Sequence, residues 1–436
     1  MTRSDDGKLG TWMTMALVVG GIIGAGIFML PVALAPFGPN AIIAWLVSGA
    51  GVLCIAFALA RLVTSDGAGL QAYVERGFGP SAGFLVAWSF CFSQWAANAA
   101  LAIAAASAVS RIDSTFASPT AIALLGIGLI AFLTLVNAAG ARAMGRLAVI
   151  TTLLKILPLI AAVVLVAVNS GEGRALEPLA PMPVTLDNIS AAVALTLYAL
   201  TGFENATAPV GKVRDPARTI PRAMLLGLAF VALLYLLSST AVLLVLPQGQ
   251  AAASAAPFAD ALATRWGESA AILAALGMAV SAFGCLNGGI MVAGELSYSM
   301  ALRGDLPRPL ALTRGINTPV VSQVVGAILA VVLVLLNSSK TTAGLFTFVV
   351  LLSTVGALVI YLVGSLAAIR LRPSPPAMLI ILVGIGFSLF AFYGAGLEAN
   401  LWGLALIGGG FAIRALVRAA SRSTPAAEPV PAASQE

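Results

Sequence analysis

Histidine is absent from this 436-residue chain, and charged residues make up only 9% of it. The absence of histidine excludes a His-ligated metal centre, a Ser-His catalytic triad and the paired-histidine helix of zinc proteases. A soluble domain carries about 25% charged residues, whereas 60% of this chain is hydrophobic. The composition therefore predicts an all-α polytopic membrane protein.

Cysteine is scarce as well. The three cysteines, Cys54, Cys91 and Cys285, lie far apart inside apolar runs. An odd and scattered set does not make a disulfide framework, and a buried thiol behaves as a small hydrophobic side chain. We therefore expect all three to be packing residues.

Twelve apolar runs are long enough to cross a bilayer as helices, and none alternates as barrel strands do. The connecting segments are short, so no soluble domain is inserted. The longest, at 170–188 and 247–269, are rich in Pro, Ala and Gly, and the second could hold a short surface helix. The predicted spans are 12–36, 40–63, 83–110, 119–138, 146–169, 189–211, 221–246, 270–301, 319–337, 342–369, 376–395 and 399–417.

Positive charge is distributed unevenly across this layout. Eighteen of the 23 lysine and arginine residues fall on the side of the N-terminus, four fall on the other side, and Lys155 lies inside a span. Cytoplasmic loops carry the excess of positive charge, so residues 1–11 and 418–436 are predicted to be cytoplasmic. The tail has no apolar face and is expected to be disordered. The net charge of +6 thus reflects membrane orientation and does not indicate nucleic-acid binding.

Glycine interrupts the first span. Gly20, Gly21, Gly24 and Gly26 fall within seven residues, and each weakens a helix by about 1 kcal/mol relative to alanine. Non-helical backbone at membrane depth is tolerated only where it is buried in protein or lines a wet cavity. An unwound segment would offer backbone N–H and C=O groups to a ligand. The alternative is a small-residue face for close helix packing.

The sixth span contains a second interruption. Between Leu197 and Asn205 a glycine and a carboxylate, Gly202 and Glu204, occur near the middle of an apolar run. Two breaks that lie five spans apart, in spans of opposite direction, are typical of an inverted five-plus-five repeat with the binding site between the breaks. The predicted repeats are 12–169 and 189–370, and two further spans follow at 376–417.

Several motifs resemble the amino acid–polyamine–organocation superfamily of transporters, and within it the bacterial arginine/agmatine antiporter group. The resemblance implies a LeuT-like fold with helices 1 and 6 broken, and alternating-access transport of amino acids or related amines without a cofactor. The motifs are Gly21-Ile-Ile-Gly-Ala-Gly-Ile-Phe28, Thr201-Gly-Phe-Glu204, Gly79-Pro80, Asp215-Pro-Ala-Arg218, Ile220-Pro221 and Gly304-Asp-Leu-Pro307.

The breaks and the resemblance together predict the substrate site. The substrate carboxylate is expected to meet N–H groups between Ile23 and Gly26, and its ammonium to meet carbonyls between Tyr198 and Thr201. Asn98 matches the asparagine that faces substrate in the resembling transporters. The predicted site residues are Ile22, Ile23, Gly24, Ala25, Gly26, Asn98, Tyr198, Thr201 and Gly202.

The resemblance is weakest at the side chains that select the substrate. Where the arginine/agmatine antiporters carry a serine in the first break, this chain has Ala25. Their stacking tryptophan of span six matches Tyr198, and their tryptophan of span eight and tyrosine of span ten fall on Gly289 and Val363. A stacked guanidinium relies on aromatic faces. The sequence therefore favours a smaller or more apolar amino acid.

Three charged residues are predicted at membrane depth and are expected to couple or gate transport. Glu204 lies on the second break, and a carboxyl group there can keep its proton near neutrality; a static hydrogen bond is the alternative. Lys155 lies about 13 Å from the cytoplasmic end of span five at 1.5 Å per residue. Glu295 on span eight has a matching depth, so a Lys155–Glu295 pair, direct or through polar neighbours, is a hypothesis. Carbonyls of the unwound first span are the other expected partner of Lys155, alone or together with Glu295.

Lys155 has two interpretations. It either forms a static salt bridge, or places its ammonium where sodium-coupled relatives of the fold bind an ion. Many sodium-independent members of the superfamily resemble this chain at Lys155, whereas the arginine/agmatine antiporters have no lysine there.

Other classes of function fit less well. An intramembrane protease would need histidine or paired intramembrane aspartates, and no aspartate is predicted at membrane depth. A channel would need charged rings or a repeated carbonyl filter. The expected partners are a small amino acid or amine and the lipid bilayer of a bacterial-type cytoplasmic membrane. Proton coupling and a homodimer stay open, as does the choice between exchange and symport.

Overall fold

In the computed structural model of this chain, the residues described are 10–24, 26–62, 70–138, 144–204, 213–313, 318–336 and 340–423. Helices account for nearly all of these ranges. They are α1 (Thr11–Ile22), α2 (Gly26–Leu34), α3 (Pro39–Ala60), α4 (Leu70–Phe78), α5 (Pro80–Ile112), α6 (Pro119–Ala138), α7 (Met144–Gly171), α8 (Leu186–Ala199), α9 (Pro216–Val245), α10 (Gln248–Ala253), α11 (Pro257–Leu302), α12 (Val320–Leu336), α13 (Thr342–Ile369), α14 (Pro375–Gly394) and α15 (Gly396–Ser423).

Eight of these helices are long and apolar enough to cross a membrane: α3, α5, α6, α9, α11, α13, α14 and α15. α1 and the helical stretch Gly26–Phe37 pass the same test together and meet at an angle of 48°. Shorter apolar helices are formed by Lys155–Gly171 within α7, by α8 and by α12. The prediction of a helical, polytopic membrane protein is therefore confirmed.

Ion pairs at the two ends of the molecule show which helix ends lie together. At one end Arg111, at the close of α5, binds Asp260 and Glu268 of α11 at 2.6 Å each. Arg265 of α11 binds Glu172, just after α7, at 2.5 Å. Because α5 and α7 end where α11 begins, these two helices run opposite to α11.

At the other end of the molecule, ion pairs join the end of α11 to the helices that lie beside it. Arg303, just after α11, binds Glu75 of α4 at 2.9 Å. Arg414 of α15 binds Asp305 at 2.7 Å and donates to the carbonyl of Pro80, the first residue of α5, at 3.0 Å. The end of α11 therefore lies beside the start of α5, as alternating spans require.

α5 lies at the centre of the molecule and packs against both α11 and α13. Serine pairs and small residues allow the close crossing with α13: Ser93 Oγ donates to the carbonyl of Ser353 at 2.8 Å, and Ser353 Oγ donates to the carbonyl of Ser93 at 3.0 Å. A Cβ on Gly356 would lie 2.7 Å from the Cβ of Ser93. Small residues at such crossings let helices approach closely in a membrane.

Several boundaries differ from the prediction because hydropathy detects only apolar runs. α4 is a surface helix whose mixed composition hides it, and Arg370 lies over its Phe78 ring at 4.3 Å. The segment 247–269 holds α10 and the first part of α11, up to a break at Gly267, so the expected surface helix is present. α15 continues six residues beyond the predicted end at 417. Residues 1–9 and 424–436 of the predicted termini lie outside the described residues.

Candidate functional site

The first span breaks at the predicted glycines. α1 ends at Ile22 and α2 begins at Gly26, with Ile23 and Gly24 in non-helical conformation and Ala25 outside the described residues. The unwinding releases two carbonyl groups that a continuous helix would use. Tyr235 of α9 donates its hydroxyl to the carbonyl of Ile22 at 3.2 Å. The thiol of Cys285 on α11 donates to the carbonyl of Ile23 at 3.6 Å.

The second break was predicted between Leu197 and Asn205, and α8 ends within that stretch, at Ala199. Residues 205–212, which include the rest of the predicted sixth span, lie outside the described residues. Thr201 turns its hydroxyl back to the carbonyl of Tyr198 at 2.7 Å. Gly202 has φ +106°, a conformation that side chains with a Cβ rarely adopt. Its N–H donates to Oε2 of Glu204 at 3.0 Å. The tight turn therefore ties the carboxyl group of Glu204 to the broken backbone.

The two breaks contact each other directly. A Cβ on Gly202 would lie 2.7 Å from the carbonyl oxygen of Gly21, and a Cβ on Gly26 would lie 2.5 Å from a ring carbon of Tyr198. Only glycine permits these approaches. The structure thus brings Gly26 of the first break against Tyr198, and Gly202 against Gly21. The role of these residues in binding substrate stays a prediction.

Asn98, the third predicted component of the site, lies on α5 and faces α11. Its side chain is 2% exposed, and its Oδ1 has no hydrogen-bond partner among the described residues. A Cβ on Gly289 of α11 would collide with this oxygen. Leu101, one turn along α5, lies 3.8 Å from the Cβ position of Gly24. Asn98 therefore presents an acceptor towards α11, in space that a larger residue at 289 would fill, one turn of α5 away from the residue that meets the first break.

Glu204 is held from two sides. Besides the N–H of Gly202, its Oε2 accepts a hydrogen bond from the hydroxyl of Tyr361 on α13 at 3.2 Å. Phe203 stacks on the Tyr361 ring with centroids 5.4 Å apart. The second break is thereby attached to α13 through both a polar and an aromatic contact.

Lys155 does not contact Glu295, the partner that the depth argument predicted for it. Its side chain is 4% exposed and its ammonium donates to Sγ of Cys285 at 3.0 Å. Glu295 is exposed on the surface of α11, and within the described residues no ion pair joins it to Lys155. Glu295 lies ten residues beyond Cys285, about 15 Å along the helix and rotated by about 80°. The proposed Lys155–Glu295 pair is therefore absent from this structure.

Three residues at the breaks were missed from the sequence: Cys285, Tyr235 and Tyr361. Cys285 was expected to be a packing residue, yet it lies between Lys155 and the first break. The two tyrosines carry polar tips inside apolar runs, which is the signal that could have identified them. No group of three or more His, Cys, Asp or Glu side chains that could hold a metal ion occurs in the described part of the chain.

Comparisons with known proteins support the resemblance. The family model described as amino acid permease matches residues 9–405. The putrescine transporter PotE of Escherichia coli (strain K12) is 28% identical over 415 residues, which cover 92% of this chain and 94% of PotE. The cadaverine/lysine antiporter of the same strain is 28% identical over 347 residues, which cover 77% of this chain and 76% of the antiporter. The chain belongs to the amino acid permease family.

Proposed function

We propose that this chain is a secondary transporter that moves an amino acid or a related linear amine across the cytoplasmic membrane by alternating access, without sodium. The observation that carries the proposal is the direct contact between the broken first span and the turn that follows α8, at Gly21 and Gly202. Non-helical backbone in a membrane protein has to be buried or line a cavity. Breaks in two separate spans that meet are typical of transporter binding sites.

The proposed architecture is the LeuT-like one with twelve spans and both termini in the cytoplasm. The eight long helices, the bent pair α1–α2 and the three shorter apolar helices together supply twelve segments at the predicted positions. The opposite directions of α11 and of α5 and α7 agree with this path. The excess of Lys and Arg on one side supports the orientation.

The ends of the broken helices suit the two charges of an amino acid. The first turn of α2 leaves N–H groups without acceptors inside the helix, and its positive dipole end favours a carboxylate. The last turn of α8 leaves carbonyl groups and the negative dipole end, which favour an ammonium. Asn98 Oδ1 adds a buried acceptor without a partner among the described residues. Ile22, Ile23, Gly24 and Gly26, with Ala25 between them, form the proposed carboxylate side.

The relatives favour a substrate with aliphatic amino groups. Their names describe a putrescine transporter and a cadaverine/lysine antiporter. The unpartnered acceptor on Asn98 suits a second amino group, because an amine can donate to an amide oxygen. We therefore propose linear amines and basic amino acids as the substrate class. The small or apolar amino acid predicted from the missing aromatic residues becomes the competing class.

Two ionisable side chains, the buried Lys155 and the half-buried Glu204, are the proposed coupling residues. Glu204 joins the second break to α13, and Lys155 reaches the first break through Cys285. Lys155 is a fixed positive charge beside α1 and α11, which is why we propose that transport does not need sodium. Glu295, which is exposed on α11, is not proposed as a coupling residue. A membrane-embedded enzyme or a channel is not favoured, because the relatives are named transporters and antiporters.

The test combines ligand binding with transport. Purified protein is screened by thermal unfolding against putrescine, cadaverine, lysine, ornithine, arginine and the neutral amino acids. A ligand that binds only the folded protein stabilises it by RT ln(1 + [L]/Kd). Hits are then measured by counterflow in proteoliposomes, with and without sodium and with and without a proton gradient. We expect counterflow of at least one linear amine or basic amino acid without sodium.

Lys155→Ala is measured in parallel, and Lys340→Ala is the matched control. Lys340 is half-buried and pairs with Glu398 at 2.9 Å. We expect Lys155→Ala to lose most of its transport and the control to keep it. A sodium requirement in the unmodified protein, or full activity of Lys155→Ala, contradicts the proposed coupling. Counterflow of neutral amino acids alone contradicts the proposed substrate class.

A further inference from the structure

Two exposed arginines follow α13 at the end of the molecule where α4 lies. The guanidinium of Arg370 lies over the Phe78 ring of α4 at 4.3 Å, and its Cδ lies 3.9 Å from the Cβ position of Gly77. Leu371, between the two arginines, is 46% exposed, and Phe78 is 40% exposed. Phe78, Arg370, Leu371 and Arg372 therefore form a surface, here called the α4–α13 patch, that is both cationic and apolar.

Other arginines at this end of the molecule have carboxylate partners. Arg303 binds Glu75 at 2.9 Å, and Arg414 binds Asp305 at 2.7 Å. Within the described ranges, no Asp or Glu side chain forms an ion pair with either arginine of the patch. Two cations that lie two residues apart repel each other, so an anion from outside the chain would stabilise this surface.

The backbone at Arg372 indicates that the turn itself does not require this side chain. Its φ is +48°, a left-handed conformation that glycine most often occupies after a helix. The N–H of Arg372 donates to the carbonyl of Ile369 at 3.0 Å, and glycine would make the same contact without the steric cost of a Cβ. Residues in strained conformations are concentrated at functional sites. The reason for an arginine at this position therefore lies in its charge.

The start of α14 adds to the positive potential of the patch. α14 begins at Pro375, three residues after Arg372, and three residues of extended chain span at most about 11 Å. No side chain caps this helix start, and its first turn contains no acidic residue. Because the N-terminal end of a helix carries a partial positive charge, the patch borders a third source of positive potential.

We propose that the α4–α13 patch binds the headgroup of an anionic phospholipid. The guanidinium groups of Arg370 and Arg372 pair with the phosphate, since a guanidinium matches phosphate geometry with two parallel hydrogen bonds. Basic pockets between membrane helices are typical sites for anionic headgroups. The bound lipid would join α4 to the turn between α13 and α14. This inference does not depend on which substrate the protein transports.

The exposed apolar side chains favour a lipid over a soluble phosphate. Phe78 and Leu371 are large hydrophobic residues beside the two cations, and a soluble anion would leave both in water. The glycerol backbone and the first acyl carbons of a phospholipid would cover them, and buried apolar area strengthens binding at the membrane interface. The patch therefore suits a ligand that carries both a negative charge and hydrocarbon.

The test measures the apparent dissociation constant of phosphatidylglycerol in mixed micelles from the rise of the thermal unfolding midpoint. Phosphatidylcholine is the zwitterionic comparison. We expect phosphatidylglycerol to raise the midpoint more than phosphatidylcholine, and added salt to reduce the difference. Arg370→Gln and Arg372→Gly should each weaken the apparent affinity for phosphatidylglycerol about fivefold, and the double variant about twenty-five-fold.

Two variants separate lipid binding from folding. Arg372→Gly removes the strained Cβ, so its midpoint without lipid should equal or exceed that of the unmodified protein while its response to phosphatidylglycerol is weaker. Arg218→Gln changes an exposed arginine that pairs with Asp215 at 3.8 Å, and it should respond to lipid as the unmodified protein does. If Arg370→Gln does not accumulate in the membrane, the comparison of Arg372→Gly with Arg218→Gln decides alone.

Three results would overturn the inference. The first is an equal response of the unmodified protein to the two lipids. The second is an Arg372→Gly variant that keeps the full response to phosphatidylglycerol, or an Arg218→Gln variant that loses as much of it. The third is a rise with inorganic phosphate or glycerol 3-phosphate as large as that with phosphatidylglycerol, which would identify a site for soluble anions.

Discussion

At the residue scale, the breaks are stabilised by single polar side chains from other helices. Tyr235, Cys285 and Tyr361 each donate one hydrogen bond to a group at a break. Each lies in a mostly apolar stretch of its helix, where a polar group left without a partner is costly. Their placement ties α9, α11 and α13 to the two unwound segments, so the breaks are fixed by side chains that the local sequence does not contain.

Glu204 is predicted to set the pH response of transport. In Glu204→Gln an amide takes the place of the carboxyl group, and its oxygen can still accept from Gly202 and Tyr361. We expect substrate binding to be retained while uptake loses most of its dependence on pH, because this side chain no longer titrates. Uptake by proteoliposomes between pH 5 and pH 9 measures the effect.

Tyr361→Phe is the companion to this variant. It removes the 3.2 Å hydrogen bond but keeps the ring that stacks on Phe203, so it should shift the pH profile without flattening it. An unchanged profile in Glu204→Gln would reduce this residue to a structural hydrogen bond.

At the scale of secondary-structure elements, the break in each span depends on a glycine at the point of contact. Gly202 combines a positive φ with a close approach to Gly21. Gly173, in the loop after α7, also has a positive φ but no atom within 4 Å of its Cβ position. Gly128, inside α6, has neither constraint. Substitutions at these three glycines therefore distinguish the cost of backbone strain from the cost of a steric clash.

Gly202→Ala is expected to destabilise the protein more than Gly173→Ala. Backbone strain alone costs about 1–2 kcal/mol, and at Gly202 the added Cβ also displaces the first break, which should abolish transport. Gly128→Ala should be neutral or stabilising, because alanine is the better helix former. Thermal unfolding in detergent and counterflow provide the two readouts. If Gly202→Ala and Gly173→Ala lose equal stability and equal transport, the contact between the breaks is not the cause of the Gly202→Ala defect.

The location of both breaks could be predicted from the sequence because glycines and a carboxylate inside apolar runs are local signals. The partners of the breaks could not be predicted. Cys285 looks like a packing residue until Lys155, 130 positions away, is known to face it. The depth argument that paired Lys155 with Glu295 misjudged the height by about 15 Å along α11, and it carried no information on the rotation about the helix axis. α4 was missed because a short amphipathic helix has no apolar run.

At the scale of the whole molecule, a buried charge cluster is one of the contacts that attach α15 to the other helices. Arg414 and Asp305 have side chains that are 5% and 7% exposed. Arg414 also donates to Pro80 at 3.0 Å and lies over the Phe84 ring at 4.7 Å. Because most of α15 faces outward, this cluster connects the last helix with the start of α5 and the end of α11.

Arg414→Gln is predicted to be strongly destabilising, since removing one partner of a buried ion pair costs about 3–5 kcal/mol. Arg418 contacts the same carboxylate at 3.0 Å but is 47% exposed, so Arg418→Gln should cost less than about 1 kcal/mol. The thermal unfolding midpoints of the two variants in detergent test this. Similar midpoints would show that α15 is held by its apolar contacts alone.

The separation of the first break from its partners has a consequence for biosynthesis. The carbonyls of Ile22 and Ile23 are satisfied by Tyr235 and Cys285, which lie 213 and 262 positions later in the chain. At about 5–20 residues per second, a ribosome needs on the order of ten to fifty seconds to reach them. During that interval the unwound segment has to be stabilised by water or by the insertion machinery. The first helix can therefore enter the bilayer early, but it reaches its final broken form only after α11 has been made.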